Sequence, residues 1–337
     1  MKLVIPMAGR GSRMRPHTWT CPKPLLPLAG KPMLAHVLDV FSELPIEEFV
    51  FIVGWLGDQV RDFVMDNYAI PAHFVEQTEL LGQAHALWLA REHMQGPIFT
   101  FFVDTLFFGA DFTKLDAPGL DGVIYTKEVA DPRRFGAVQV GPDGWATRLI
   151  EKPSSLDNKQ VMIGLYYFND GAALAATCEE MMLRGRQTQG EYFESDAVNM
   201  MVEQGGHFET REVSRWLDTG KPETTLHANR YLLDNGQDNC DRVQTWRSVL
   251  VPPVHVAPDA VIEDSVVGPY VDVGAGARIR NAIVRNSIID VNAEVEDIFL
   301  EGSMIGPEAK VRDRPTRLNV GNSAAVGMEY LVDESWL

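Results

Sequence analysis

The sequence predicts an α/β domain of the doubly wound type followed by a short left-handed parallel β-helix. Three observations carry that prediction. Apolar strand-like runs alternate with helix-period segments through the first two-thirds of the 337 residues. A loop crowded with glycine, proline and basic residues follows the first of those runs. A short motif recurs at near-constant spacing from Val256 onward. Strand–helix alternation marks a sheet covered on both faces, and a short sequence period marks a solenoid.

Taken in order, "KLVIP" is a buried strand ending in the glycine-rich loop. Leu34, Val37, Leu38 and Phe41 fall at i, i+3, i+4 and i+7, which predicts a helix with Pro32 in its first turn. "FVFIV" (Phe49 to Val53) predicts a second buried strand, then a helix near Asp58 to Asp66 and the short strand "HFVE". Gly82 to His93 is expected to be helical, and "IFTFFV" (Ile98 to Val103) to be another buried strand. Strands are also expected at Gly122 to Thr126, Phe135 to Val140 and Val161 to Phe168, with a helix from Gly171 to Leu183.

From about Pro253 the pattern changes. "VAPDA" starts at Val256, "VGAGA" at Val273, "IDVNA" at Ile289 and "IGPEA" at Ile305, spaced by 17, 16 and 16 residues; "VGNSA" at Val320 is a fainter fifth copy. Between the copies run Ile262, Val267, Ile279, Val284 and Val295. Aliphatics stacking inward, with small residues at the corners, describe a hexapeptide-type β-helix better than an irregular sheet with chance spacing. The expected division is residues 1–240 for the α/β domain and 250–330 for the β-helix.

Composition narrows the function. Apolar residues make up 45%, as in ordinary globular chains, and no apolar run approaches the ~18 residues that span a bilayer. The start does not read as a signal peptide, because Gly9, Arg10 and Arg13 interrupt it. Cys21, Cys178 and Cys240 have no paired spacing, so neither a disulfide framework nor a zinc site is expected. A cytoplasmic protein without membrane partners is the expectation. A net charge of −17 argues against a nucleic-acid partner, yet suits a small anion held in one locally basic pocket.

That pocket is the opening loop, "MAGRGSRMRPHTWTCPKPLLPLAGKPM" (Met7 to Met33). Met14 stands where a dinucleotide fingerprint needs its third glycine, and no Gly-Lys-Ser/Thr of a Walker A loop is present. Gly9 and Gly11 let backbone N–H groups approach an anion, and Arg13 can fork onto phosphate oxygens. Pro22 and Pro24 flank Lys23 and leave its ammonium little freedom to lose.

These residues resemble the hallmark of the sugar-1-phosphate nucleotidyltransferases, or nucleoside-diphosphate-sugar pyrophosphorylases: G-x-G-(S/T)-R-(L/M), then Pro-Lys-Pro-Leu, then Lys-Pro-Met. Here they stand as Gly9-x-Gly11-Ser12-Arg13-Met14, Pro22-Lys23-Pro24-Leu25 and Lys31-Pro32-Met33. The likeness runs to about residue 235. "EQTELLGQAHAL" resembles the nucleobase segment, "FFVDTLF" a metal-binding strand end, "RFGAVQV" and "LIEKP" the blocks that hold the sugar and its phosphate, and "VMIGLYYF" the next sugar-contacting strand. "GEYFESDAV" resembles a further block, and "RWLDTGKPETT" the second metal aspartate. Three positions depart from the pattern: Val103 stands where glycine usually precedes the aspartate, Gln83 where threonine is frequent, and Met14 where leucine is commoner.

The resemblance implies a Rossmann-like mixed sheet with an appended β-helix, as in longer members similar to glucose-1-phosphate thymidylyltransferases. It implies that Ala8, Gly9, Gly11, Ser12, Gln77 and Gly82 bind the nucleotide, and that Gly136, Glu151, Lys152 and Gly164 hold the sugar and its phosphate. Asp104 and Asp218 would hold Mg²⁺, while Lys23 neutralises the α-phosphate and Arg13 binds departing pyrophosphate. The implied substrates are dTTP or UTP with glucose-1-phosphate. Alternatives are GTP with mannose-1-phosphate, UTP with N-acetylglucosamine-1-phosphate, or a non-catalytic regulatory subunit. Tyr166 reads as sheet packing. His255 is the only histidine from Pro252 onward, which argues against acyltransferase chemistry in the β-helix; assembly into a homo-oligomer or regulation is expected of it instead.

Overall fold

The structure, a computed structural model, describes residues 1–313. The chain opens with β1 (Lys2–Pro6), the short hairpin of β2 (Pro27–Leu28) and β3 (Lys31–Pro32), α1 (Met33–Val40), β4 (Glu48–Val53), α2 (Gly57–Asn67), β5 (Ala72–Glu76), α3 (Gln83–Leu89) and β6 (Ile98–Phe101). It continues through β7 (Thr105–Phe108), β8 (Gly122–Glu128), β9 (Gly136–Val140), β10 (Ala146–Glu151), β11 (Gln160–Phe168), α4 (Gly171–Leu183), α5 (Glu194–Glu203), β12 (Phe208–Glu212), β13 (Arg215–Asp218) and α6 (Pro222–Leu232).

Nine strands form one sheet in the order β10-β9-β11-β6-β1-β4-β5, with β8 joining β11 to β12. Strand β1 lies parallel to both β4 and β6, whereas β11 runs antiparallel to β6, so the sheet is mixed. The apolar run Leu3-Val4-Ile5 is wholly buried because β1 is covered on both faces, and its alternate side chains divide between two cores. Leu3 and Ile5 join a core rich in phenylalanine, in which Phe41 meets Phe99, Phe101 and Phe107. Val4 joins the opposite core, with Val50, Leu87, Leu174 and Val198.

Two predicted elements end early. The strand from Ile98 stops at Phe101, since a turn closed by Thr105 N–H on Phe102 O reverses the chain there. Helix α3 ends at Leu89, where Ala90 N–H is shared by the carbonyls of Ala86 and Leu87 and the backbone tightens into a 3₁₀ turn, Arg91–His93. The turn at Val103 keeps φ negative, so the missing glycine strains nothing.

Beyond α6 the chain coils. The strands β14 (Val249–Leu250), β15 (Val254–Val256), β16 (Val261–Glu263), β17 (Val266–Val267), β18 (Val271–Val273), β19 (Arg278–Arg280), β20 (Ile283–Arg285), β21 (Ile288–Ile289), β22 (Glu294–Glu296), β23 (Phe299–Glu301), β24 (Met304–Ile305) and β25 (Lys310–Arg312) deal in rotation into three four-stranded parallel sheets. This is the left-handed β-helix. The repeat starts read from the sequence, Val256, Val273, Ile289 and Ile305, are one ladder of paired residues. Ile262, Val267, Ile279, Val284 and Val295 fill the interior. One corner of successive coils is made by Asp264, Asn281 and Asp297 at φ 50°, 47° and 54°, a left-handed conformation that Asn and Asp tolerate best among residues with side chains. The fifth motif copy at Val320 and the expected end near 330 lie outside the described residues.

Candidate active site

Adjacent parallel strands open their carboxyl ends on the same edge of a sheet, and ligands gather there. The loop after β1 and the turn after β6 therefore meet. Lys23 Nζ donates to Asp104 Oδ2 at 2.7 Å, and Arg13 Nη2 stands 3.8 Å from the same oxygen. Lys23 is almost fully buried and begins a 3₁₀ turn, Lys23–Leu25, entered through Pro22 in extended conformation. Gly11 holds the preceding turn in left-handed conformation (φ 58°), with its carbonyl accepting from Thr18 Oγ1 at 2.9 Å. A cleft of about 400 Å³ is lined by Ala8, Gly9, Gly11, Ser12, Arg13, Lys23, Gln77, Gly82 and Asp104, a size suited to a small ligand.

Asp218 reaches this corner by strand pairing. It lies opposite Thr105 across β13 and β7, and Thr219 N–H donates to Asp104 O at 2.9 Å. A Cβ on Gly220 would stand 2.8 Å from Asp218 Oδ1 and 3.1 Å from Arg13 Nη2. Gly220 thus leaves room for the Arg13 guanidinium and for the Asp218 carboxylate, whose Oδ1 accepts the Gly220 N–H at 2.9 Å. The glycine of "LDTGKP" carries this signal in the sequence, although the aspartate alone drew notice.

At the other end, Gln77 Nε2 donates to Gly82 O at 3.1 Å and to His85 Nδ1 at 3.0 Å. Burial lowers the His85 pKa, which favours the neutral ring whose Nδ1 can accept that bond. Neither bond uses the Gln77 side-chain carbonyl. Gly82 (φ 109°) runs so close to the next segment that a Cβ would lie 2.4 Å from Tyr192 O. Tyr192 bridges Leu81 and Ala84 by backbone hydrogen bonds, which gives the "GEYFESDAV" block its place. Beside it, the buried Gln83 Oε1 has no partner among the described residues.

None of the four residues expected on the sugar side lines the cleft; Gly164 reaches it through Phe102. Gly136 pairs with Glu151 across β9 and β10, and a Cβ there would stand 3.0 Å from Glu151 Oε1. Burial pushes the Glu151 pKa up, opposed by the Ser195 hydroxyl, which donates to Oε1 at 2.8 Å and favours the charged form. Lys152 takes a left-handed backbone (φ 46°), and its ammonium lies 3.4 Å from Gln189 Oε1. Gly164 (φ 77°) sits in an irregularity of β11 between Met162 and Tyr166; its carbonyl accepts Phe102 N–H at 2.9 Å, and a Cβ would strike the Phe102 ring at 2.3 Å. Phe102 lines the cleft, so it joins this strand to the site. Tyr166 is buried, with its hydroxyl toward Met162 Sδ, as sheet packing requires. Ser195 was not singled out in the sequence; a buried serine at a helix start, read beside "LIEKP", is the signal that marks it.

Comparison with known proteins decides the family. The "Nucleotidyl transferase" family model matches residues 2–235. The chain belongs to the nucleotidyl transferase family. A "GlmU-like, C-terminal hexapeptide" model matches residues 241–310. A glucose-1-phosphate thymidylyltransferase of Streptomyces griseus is 28% identical over 90% of this chain and 87% of its own length. The UTP–glucose-1-phosphate uridylyltransferase AglF of Haloferax volcanii is 29% identical over 69% of this chain and 96% of its own. The crystal structure of a UDP-glucose pyrophosphorylase complexed with UDP-glucose shares the fold, with a TM-score of 0.62 at 18% identity over 69% of this chain and 98% of its own.

Nucleotidyl transferases of this kind generally need a divalent metal. Among the described residues no group of three or more His, Cys, Asp or Glu gathers into a metal site. Two carboxylates suffice for Mg²⁺ where substrate phosphates and water complete its octahedron. Asp104 and Asp218, brought to adjoining strand ends by the pairing of β7 with β13, would make such a pair, with the Lys23 ammonium against Asp104. The donor set fits Mg²⁺.

Proposed function

We propose that this chain transfers a nucleotidyl group from a nucleoside triphosphate to a sugar-1-phosphate and releases pyrophosphate, with dTTP or UTP and glucose-1-phosphate as the favoured pair. The observation that carries the reading is the convergence of Lys23, Arg13 and Asp104 at the mouths of β1 and β6, beside Asp218. The relatives named above act with thymidylyl or uridylyl donors on glucose-1-phosphate, which supports the choice of substrates.

In this reading residues 1–240 carry the chemistry and 250–330 the scaffold. The loop Ala8 to Ser12 cradles the triphosphate through backbone N–H groups, while Gln77 and Gly82 meet the base. Lys23 offsets charge on the α-phosphate as the sugar phosphate attacks in line, and Arg13 receives the leaving pyrophosphate. Lys152 steadies the attacking phosphate, and Glu151, Gly136 and Gly164 bound the sugar. A phosphate monoester is already a competent nucleophile near neutral pH, so no side chain acts as general base. Mg²⁺ held by Asp104 and Asp218 would supply charge neutralisation of the triphosphate.

Pyrophosphate release with dTTP, UTP and GTP against glucose-, mannose- and N-acetylglucosamine-1-phosphate tests this. The highest turnover is expected for dTTP or UTP with glucose-1-phosphate. No release with any pair, alongside tight binding of a nucleotide sugar, would instead establish a non-catalytic binding subunit.

A further inference from the structure

We propose that the β-helix holds Lys23 in its working position, with Asp272 and His255 as the positioning residues; the proposal rests on the role given to Lys23 above. The link is the β2–β3 hairpin. Leu26 N–H donates to Lys23 O at 3.2 Å, and Leu26 O accepts Met33 N–H at 3.1 Å, so the lysine turn is tied to both legs of the hairpin. At the tip, Ala29 and Gly30 both have positive φ (46° and 92°) and present two N–H groups outward. Asn229 Oδ1 on α6 takes the first at 2.9 Å, and Asp272 Oδ2 on β18 takes the second at 3.1 Å.

Asp272 has another tie. Its Oδ1 accepts from Nδ1 of His255, its paired neighbour on β15, at 2.8 Å. The imidazole lies against Gly30 so closely that a Cβ there would stand 2.5 Å from Nε2, 2.6 Å from Cε1 and 2.8 Å from Cδ2. Asp272 is 3% exposed, whereas the next residue in its ladder is the apolar Ile288. The coil itself therefore has no need of a carboxylate here. A buried carboxylate is unfavourable unless its oxygens are satisfied, and this one is satisfied by the hairpin tip and by the histidine that covers it. Asn229 Nδ2 also reaches Tyr270 O at 3.5 Å, which closes the clamp between α6 and the β-helix. Helix α6 follows directly on the Asp218 strand, so the clamp ties the elements bearing both charges to one coil. A reacting group held this way keeps the alignment on which rate depends steeply.

The test compares the full-length protein with Asp272→Ala and Asp272→Asn, at a temperature where each keeps its circular dichroism. For Asp272→Ala, kcat is expected to fall about tenfold while the triphosphate KM stays within about twofold, and Asp272→Asn, which can still accept from Gly30, should recover most of the loss. Hydrogen exchange across residues 23–33 should quicken in Asp272→Ala, with β1 and β6 unchanged. Unaltered exchange in that segment, or parental kcat, overturns the proposal. Should the wild type release no pyrophosphate with any pair, the nucleotidyl-transfer reading fails and hydrogen exchange alone decides the clamp. Should Asp272→Ala not fold, His255→Ala supplies the same readouts.

Discussion

The α/β lobe and the β-helix are built on opposite principles. In the β-helix each interior residue meets the one a single coil away, as Ile262, Ile279 and Val295 do in one ladder. In the α/β lobe the decisive contact joins Lys23 to Asp104 across 81 positions, and the second carboxylate arrives from β13. A scaffold can be repeated from local rules. Chemistry requires unlike charges in one place, and only a fold that brings chain-distant strand ends together provides it.

The largest effect should come from the unlike charges. Lys23→Ala is expected to lower kcat/KM by about a hundredfold or more, with little change in melting; a variant within a few-fold of the parent in a pyrophosphate assay would erase the contrast. Asp218→Asn should reduce turnover and weaken Mg²⁺ binding together, as read by metal titration, and retention of both removes it from the site. In the coil the ranking inverts. Ile279→Ala should lose about 3 kcal/mol of β-helix stability, seen as faster hydrogen exchange in β16, β19 and β22 with β6 unaffected. Global melting instead would show that the two parts unfold as one.

A smaller effect sharpens the comparison from within the lobe. Glu194 is wholly buried, accepts from Thr100 Oγ1, and has its pKa raised by that burial to about 7. Because the native state holds this proton more tightly than the unfolded chain, stability falls as pH rises from about 4.5 to about 7 and stays lower above that range. Glu194→Gln, shaped like the protonated acid, should match the parent near pH 5 and melt higher at pH 8, by roughly 1–3 kcal/mol. Equal melting at both values would show that the carboxyl is charged in the native state. Least of all should Arg280→Gln matter. Arg280 is exposed between half-buried Glu263 and Glu296, and its loss should leave melting unchanged within error.

Legibility followed the same divide. The ladder of Val256, Val273, Ile289 and Ile305 could be read directly, since a period survives in sequence. The cationic loop was readable because Gly11 and the prolines around Lys23 declare their backbone locally. What escaped was whatever depended on a distant neighbour. Strand β10 and helix α5 were not foreseen, because their short mixed runs gain meaning only when Asn199 brackets Leu149 and Ser195 meets Glu151. His255 drew notice as the lone histidine of the coil, but its contact with Gly30 required the docked hairpin.

Gly164 shows how such distant dependence is set. With no side chain at that point of β11, the Phe102 ring settles into the vacancy and its amide is drawn to the same residue's carbonyl. The floor of the cleft is thus shaped by subtraction. One methyl group added at Gly164 would displace the Phe102 ring that lines the cleft, so the mould can be recut by a substitution that leaves every lining residue in place.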